Sequence, residues 1–153
     1  PTTDLGVVTS STPYGKMEPS LHPLRTYLTM GVSFIASTIS NKVKDMSQLM
    51  YDAMNHPGFS IVHVQSPCTE YNNTYEALKG SPKKGIEPLA YDIPDGHDPE
   101  DVESAQELVN ADGIPIGLVY KDLSRPSFDQ KVVETTGAVA MKSADTFLDS
   151  FKI

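Results

Sequence analysis

The chain has 153 residues, 39% hydrophobic and 21% charged, with a net charge of −8 and a pI of about 4.8. That composition is ordinary for one globular domain with a real core, and its acidic balance argues against a nucleic-acid surface, which needs a basic face. No apolar run approaches the ~18 residues of a membrane span. No signal-peptide pattern is present, and a single cysteine excludes an internal disulfide, so the expected compartment is the cytoplasm.

Residues 1–20 are rich in Thr, Ser, Pro and Gly and read as a loop that must lean on something to be ordered. The start at Pro1-Thr2-Thr3 is read as a cut from a longer protein. Leu21, Leu24, Tyr27 and Leu28 then fall at helical spacing with Gly31 as a stop, and "VSFIAST" follows as a short apolar strand. Val43, Met46, Leu49, Met50, Ala53 and Met54 predict a helix that buries this stripe in the core and ends at His56-Pro57-Gly58. "FSIVHVQ" reads as the next strand. Helix–strand–helix–strand with short connections predicts parallel strands in a layered α/β sheet.

Residues 70–98 read as a long irregular segment of the kind that wraps a partner or covers a site. Asn72-Asn73-Thr74 matches a glycosylation sequon, of little weight without a secretory signal. "DPEDVESAQELVNADG" predicts a surface helix with Asp98 as N-cap, Pro99 at its first position and Val102, Ala105, Leu108 and Val109 as its apolar stripe. "IPIGLVYK" is a further strand, and Phe147, Leu148 and Phe151 mark a short amphipathic helix in the tail.

The one cysteine, Cys68, lies just past the second strand in a Ser-Pro-Cys turn. Ligands of parallel α/β sheets gather at the carboxyl ends of strands. Three chemistries compete for the thiol: an inert half-buried residue, a nucleophile, or one ligand of a shared metal site. A thiol hydrolase needs a base within hydrogen-bond reach, and His63, five residues upstream on an extended strand, lies too far away. No Cys-x-x-Cys, paired histidines or phosphate-binding glycine loop is present, and the four histidines read as surface or capping residues.

Four stretches, taken in order, carry more information. Thr12-Pro13-Tyr14-Gly15 with Glu18-Pro19 and the helix and strand that follow, Ser66-Pro67-Cys68 with Asn73-Thr74-Tyr75, "GHDPEDVESAQEL" and "IPIGLVYKDLSRPSFDQ" together resemble the C-terminal half of 2-oxoacid:ferredoxin oxidoreductase β subunits over roughly residues 1–130. The resemblance implies a fold that is the second half of a thiamine-diphosphate-binding, three-layer α/β domain with a mostly parallel sheet. Within one domain spanning 1–153, residues 1–70 would end that unit and 71–153 would form a C-terminal extension.

The resemblance also implies the chemistry: CoA-dependent oxidative decarboxylation of a 2-oxoacid with electrons passed to ferredoxin. Thiamine diphosphate and Mg²⁺ would be held by residues upstream of Pro1, leaving no catalytic residue here and no cofactor bound by this fragment alone. Cys68 falls on the fourth cysteine ligand of a four-iron, four-sulfur cluster whose other three lie upstream. Implied partners are the N-terminal half of the β subunit, an α and in some complexes a γ subunit, ferredoxin, the 2-oxoacid and coenzyme A, with no nucleic acid and no membrane. Lys42 and Lys44, read as flanking an inward-pointing Val43 at a helix start where the dipole gives them nothing, are candidates for ferredoxin docking. This chain departs from the family in "FIAST", which lacks a following Arg, and at His63 and Gln65, where Glu and Leu are more usual. The alternatives are a non-catalytic binding or assembly module of the same fold, and the Cys-dependent hydrolase.

Overall fold

A computed structural model describes residues 3–69, 73–137 and 143–152. Asn72 of the sequon and the terminal Ile153 lie outside these residues. In chain order the elements are α1 (Pro23–Thr29), β1 (Phe34–Ile39), α2 (Val43–Asn55), β2 (Ser60–Gln65), α3 (Tyr75–Lys79), β3 (Ala90–Asp92), α4 (Val102–Asn110), β4 (Ile114–Lys121), α5 (Phe128–Gly137) and α6 (Ala144–Asp149), with a 3₁₀ turn at Pro82–Lys84. Residues 3–20 form no helix or named strand. They are held locally, for example by Gly6 N–H to the Lys16 carbonyl and Lys16 N–H to that of Val7.

The four strands make one sheet in the order β2-β1-β4-β3. β1 and β2 are parallel, in register from Phe34 opposite Ser60 to Ile39 opposite Gln65. β3 and β4 are also parallel, while β4 runs antiparallel to β1. Parallel pairing therefore predominates, as expected, and the antiparallel pair sits in the middle of the sheet.

All six residues of β1 are buried, the pattern of a strand covered on both faces. α1 and α4 cover one face through Val32, Ile35, Leu108, Val109 and Val119, with Leu24, Tyr27 and Leu28 packed against them. Tyr91 packs with this cluster, whereas its neighbour Asp92 pairs with Lys42 at the start of α2. Successive strand residues point to opposite faces, so α2 covers the other face.

The methionine stripe of α2 departs from expectation. Met46, Leu49 and Ala53 are half-buried, but Val43, Met50 and Met54 are exposed and no residue of the helix is fully buried. A single sheet contacts only a narrow arc of a helix, so positions i, i+3 and i+7 meet it while the adjoining row faces outward.

The segment 70–98, expected to be irregular, contains α3, the 3₁₀ turn and β3. The N-cap of α4 is Asp101 rather than Asp98: its carboxylate accepts from the N–H groups of Glu103 and Ser104. Pro99 lies outside the helix because its carbonyl is taken by Lys121 N–H, at the end of β4. Of the expected stripe, Ala105, Leu108 and Val109 are buried and Val102 is exposed.

Between Ile35 and Ala36 the β1–β4 register shifts, leaving Val119 as an extra residue on β4. Such a residue is lost to the ladder, and its carbonyl accepts from His97 Nε2 at 2.9 Å. Ser104 of α4 donates to the other ring nitrogen at 2.9 Å. His97 thus ties bulge, loop and helix together. His56 is likewise not a plain cap: its ring meets Ser33 Oγ at 3.0 Å behind the entry to β2, where a Cβ on Gly58 would come within 2.1 Å of the same hydroxyl.

Two outcomes follow for stability. His97→Ala removes both bonds and leaves the buried Val119 carbonyl unpaired, a loss of about 1–3 kcal/mol; a denaturant midpoint equal to that of the parent chain refutes the assignment. Conversely, Thr38 is fully buried on β1 and its hydroxyl has no partner among the described residues. Thr38→Val is expected to raise stability by about 1 kcal/mol, or roughly 2–4 °C in Tm, and a lowered Tm contradicts it.

Candidate functional site

The carboxyl ends of β1 and β2 carry the Ser40–Lys42 and Ser66–Cys68 turns, the first leading into α2. Cys68 is exposed there, where the sequence placed it. Its neighbour Pro67 lines a small hollow with Ile39, Ser40, Asn41, Tyr75, Leu78 and Lys79. Leu78 is buried against Ile39 and Ile116, which seats α3 on the sheet beside the cysteine turn. Hydrogen bonds from Asn41 first, and then Lys79, hold the exposed Tyr75 phenol below its ordinary pKa. The turns after β1 and β2 and the helix α3 therefore form one assembly around the cysteine, joined by groups far apart in sequence.

The two candidate docking lysines differ. Lys42, in the N-cap position of α2, places its Nζ 2.5 Å from an Asp92 carboxylate oxygen at the end of β3. Lys44 is exposed, with no ion pair among the described residues. Val43 does not point inward between them, since it is 59% exposed. The first turn of α2 turns its 46/49/53 row to the sheet and carries Val43 round to solvent.

On the α1 side of the same edge lies a cleft of about 150 Å³, bounded by His22 just before α1 and Arg25 within it, His63 and Gln65 of β2, and the α4–β4 turn at Asp112 and Gly113. Arg25 Nε donates to the Val109 carbonyl at 2.9 Å and so fixes the end of α4 against α1. His63 is half-buried: one ring nitrogen lies 3.0 Å from Gln65 Nε2 and the other 3.4 Å from the Tyr27 hydroxyl. Burial lowers its pKa, so at neutral pH the ring is uncharged and accepts from the Gln65 amide. Sequence reasoning passed over this cleft. The available signal was the i, i+2 placement of His63 and Gln65, which puts both on one face of β2.

Elsewhere, Ser33 and His56 superficially resemble a nucleophile and its base, with Asp122 close enough to raise the His56 pKa against the larger lowering effect of burial. Ser33 is only 2% exposed and its hydroxyl lies within donating distance of the Phe59 carbonyl, so this group is a structural knot at the amino end of β1. Among the described residues no group of three or more His, Cys, Asp or Glu side chains is arranged to hold a metal ion. No helix among them is long and apolar enough to cross a membrane.

Comparison with known proteins places this geometry in context. Residues 86–136 match the family model for the C-terminal part of the pyruvate ferredoxin oxidoreductase β subunit. The chain is 26% identical over 142 residues to a 2-oxoacid:ferredoxin oxidoreductase subunit β of Saccharolobus solfataricus, covering 88% of this chain and 46% of that one. It is 31% identical over 68 residues to the 2-oxoglutarate synthase subunit KorB of Archaeoglobus fulgidus, covering 44% of this chain and 26% of that one. A solved 2-oxoglutarate:ferredoxin oxidoreductase from Magnetococcus marinus, with 2-oxoglutarate, coenzyme A and succinyl-CoA bound, superposes with a TM-score of 0.79 at 30% identity over 99% of this chain and 52% of its own. The chain thus spans about half the length of the curated relatives it matches. By sequence and by fold, it is similar to the β subunits of 2-oxoacid:ferredoxin oxidoreductases, and residues 86–136 match the model of their C-terminal part.

Proposed function

We propose that this chain supplies about half of a β subunit in an enzyme that oxidatively decarboxylates a 2-oxoacid, passing electrons to ferredoxin and the acyl group to coenzyme A. The observation that carries the reading is the Cys68 turn, held at the carboxyl edge of β1 and β2 in a fold that matches such an enzyme along nearly the whole chain. Residues 1–70 are read as the end of the thiamine-diphosphate-binding unit. Residues 71–153 form the extension, which adds β3 and β4 to the same sheet.

Cys68 is assigned as one thiolate ligand of a four-iron, four-sulfur cluster. The donor set fits that role and no larger one, since the chain offers a single exposed thiol on a turn braced by α3. The other thiolates must come from outside this chain. Such a cluster supplies one-electron transfer when bound. The residues here hold the ligand turn at the sheet edge, with Pro67 restricting the backbone before it. Thiamine diphosphate and Mg²⁺ are assigned to the other half of the subunit, with α or γ subunits completing the complex. Lys42 and Lys44 stand beside this turn as candidate contacts for ferredoxin, Lys44 with its charge outward.

The test uses the complete subunit assembled with its partners and a panel of 2-oxoacids. CoA-dependent reduction of ferredoxin with at least one acid is expected, whereas no 2-oxoacid-dependent reduction of any acceptor overturns the proposal. Cys68→Ser is expected to lower cluster iron and to cut ferredoxin reduction by at least tenfold while the subunit remains folded. Unchanged iron content and rate remove Cys68 from the ligand set. The hydrolase alternative gains nothing from the structure, since His56, His63 and His97 are engaged with Ser33, Gln65 and Val119.

A further inference from the structure

The chain is acidic overall, but its charges are unevenly placed. The sequence between residues 41 and 85 holds five lysines (Lys42, Lys44, Lys79, Lys83 and Lys84) against four carboxylates (Asp45, Asp52, Glu70 and Glu76), and Asp92 joins them through its ion pair with Lys42, so the negative surplus of the −8 chain lies elsewhere. The fold gathers these lysines at one place. Lys42 and Lys44 enter α2 directly after β1, and Lys79 ends α3 and lines the hollow with Pro67. Lys83 and Lys84 stand on the 3₁₀ turn, fastened to α3 by the Lys84–Glu76 ion pair at 2.7 Å. Lys79 thus lines the hollow beside the Cys68 turn, Lys42 and Lys44 follow its Asn41 wall, and Lys83 and Lys84 are tied to it through α3.

Within this group the charges are not equivalent. Lys42 is paired with Asp92 and Lys84 with Glu76. Lys44, Lys79 and Lys83 are exposed and have no carboxylate within ion-pair distance among the described residues. Lys79 lies 5.7 Å over the Tyr75 ring, a contact that orients the ammonium without neutralising it. The paired lysines brace the collar, and the unpaired ones set its field.

We infer that Lys44, Lys79 and Lys83 form a docking face for an acidic electron-carrier protein, presented around the Cys68 turn. This deepens the functional reading above and rests on it. A cationic collar on an otherwise anionic body attracts an acidic partner in one orientation only and repels it elsewhere, so encounter is steered to the turn that carries the redox ligand. Carriers of electrons bind briefly over small surfaces, for which three outward ammonium groups suffice, whereas the surrounding negative charge disfavours a nucleic acid.

The experiment compares the assembled enzyme with its Lys79→Glu, Lys83→Glu variant, using a ferredoxin and, separately, a small viologen dye as acceptors. A roughly tenfold rise in the ferredoxin KM is expected at low ionic strength. The difference should shrink as salt shortens the screening length, while the dye rate and iron content stay at parent values. The milder Lys79→Gln, Lys83→Gln variant should shift KM in the same direction by less, and Lys131→Glu on α5 should not shift it. An unchanged ferredoxin KM in both Lys79/Lys83 variants, or ferredoxin and dye rates falling together, overturns the docking face. The functional reading fails separately, if the unaltered enzyme reduces neither acceptor with any 2-oxoacid.

Discussion

The complete burial of β1 is the constraint on which the remaining structure depends. Six consecutive buried residues require a neighbour on each edge and a layer on each face. β2 and β4 supply the edges, α1 and α4 one face, and α2 the other. Once β1 is fixed, its two ends acquire different characters. The amino end is sealed by the Ser33–His56 knot and by Asp122, whose N–H bonds to the Ser33 carbonyl at 2.7 Å. The carboxyl end stays open and collects the turns that bear Asn41, Lys42 and Cys68.

The reversed direction of β4 shapes that open end. Because β4 runs against β1, its amino end and the turn before it arrive at the carboxyl edge of β1 and β2. The α4–β4 turn becomes a wall of the cleft that β2 floors with His63 and Gln65. The same strand carries the Val119 bulge, and the carbonyl displaced from the ladder explains why His97 is held in place by two hydrogen bonds. Departures from regular pairing here serve to anchor loops, and the anchored loops set the limits of the site.

Much of this was legible locally. The first three helices and strands in order, α1, β1 and α2, and then β2, β4 and α6, followed from apolar spacing and from stops such as Gly31 and His56-Pro57-Gly58. The position of Cys68 followed from the strand before it. α5 escaped notice although Ser127 and Gln130 form a reciprocal cap, the Gln130 N–H to Ser127 Oγ and the Ser127 N–H to the Gln130 side chain. The α2 stripe misled because periodicity reports which residues share a face, and says nothing about how wide the covering surface is.

The sequence by itself determined the local elements, the strand-end place of the thiol and the family resemblance, because each rests on neighbours along the chain or on ordered motifs. Tertiary structure alone decided the antiparallel insertion of β4, the pairing of Lys42 with Asp92 and the hold of Arg25 on the end of α4. These join residues roughly 50 to 85 positions apart, and no periodic pattern encodes a contact between segments whose relative placement is fixed only when the sheet closes around β1.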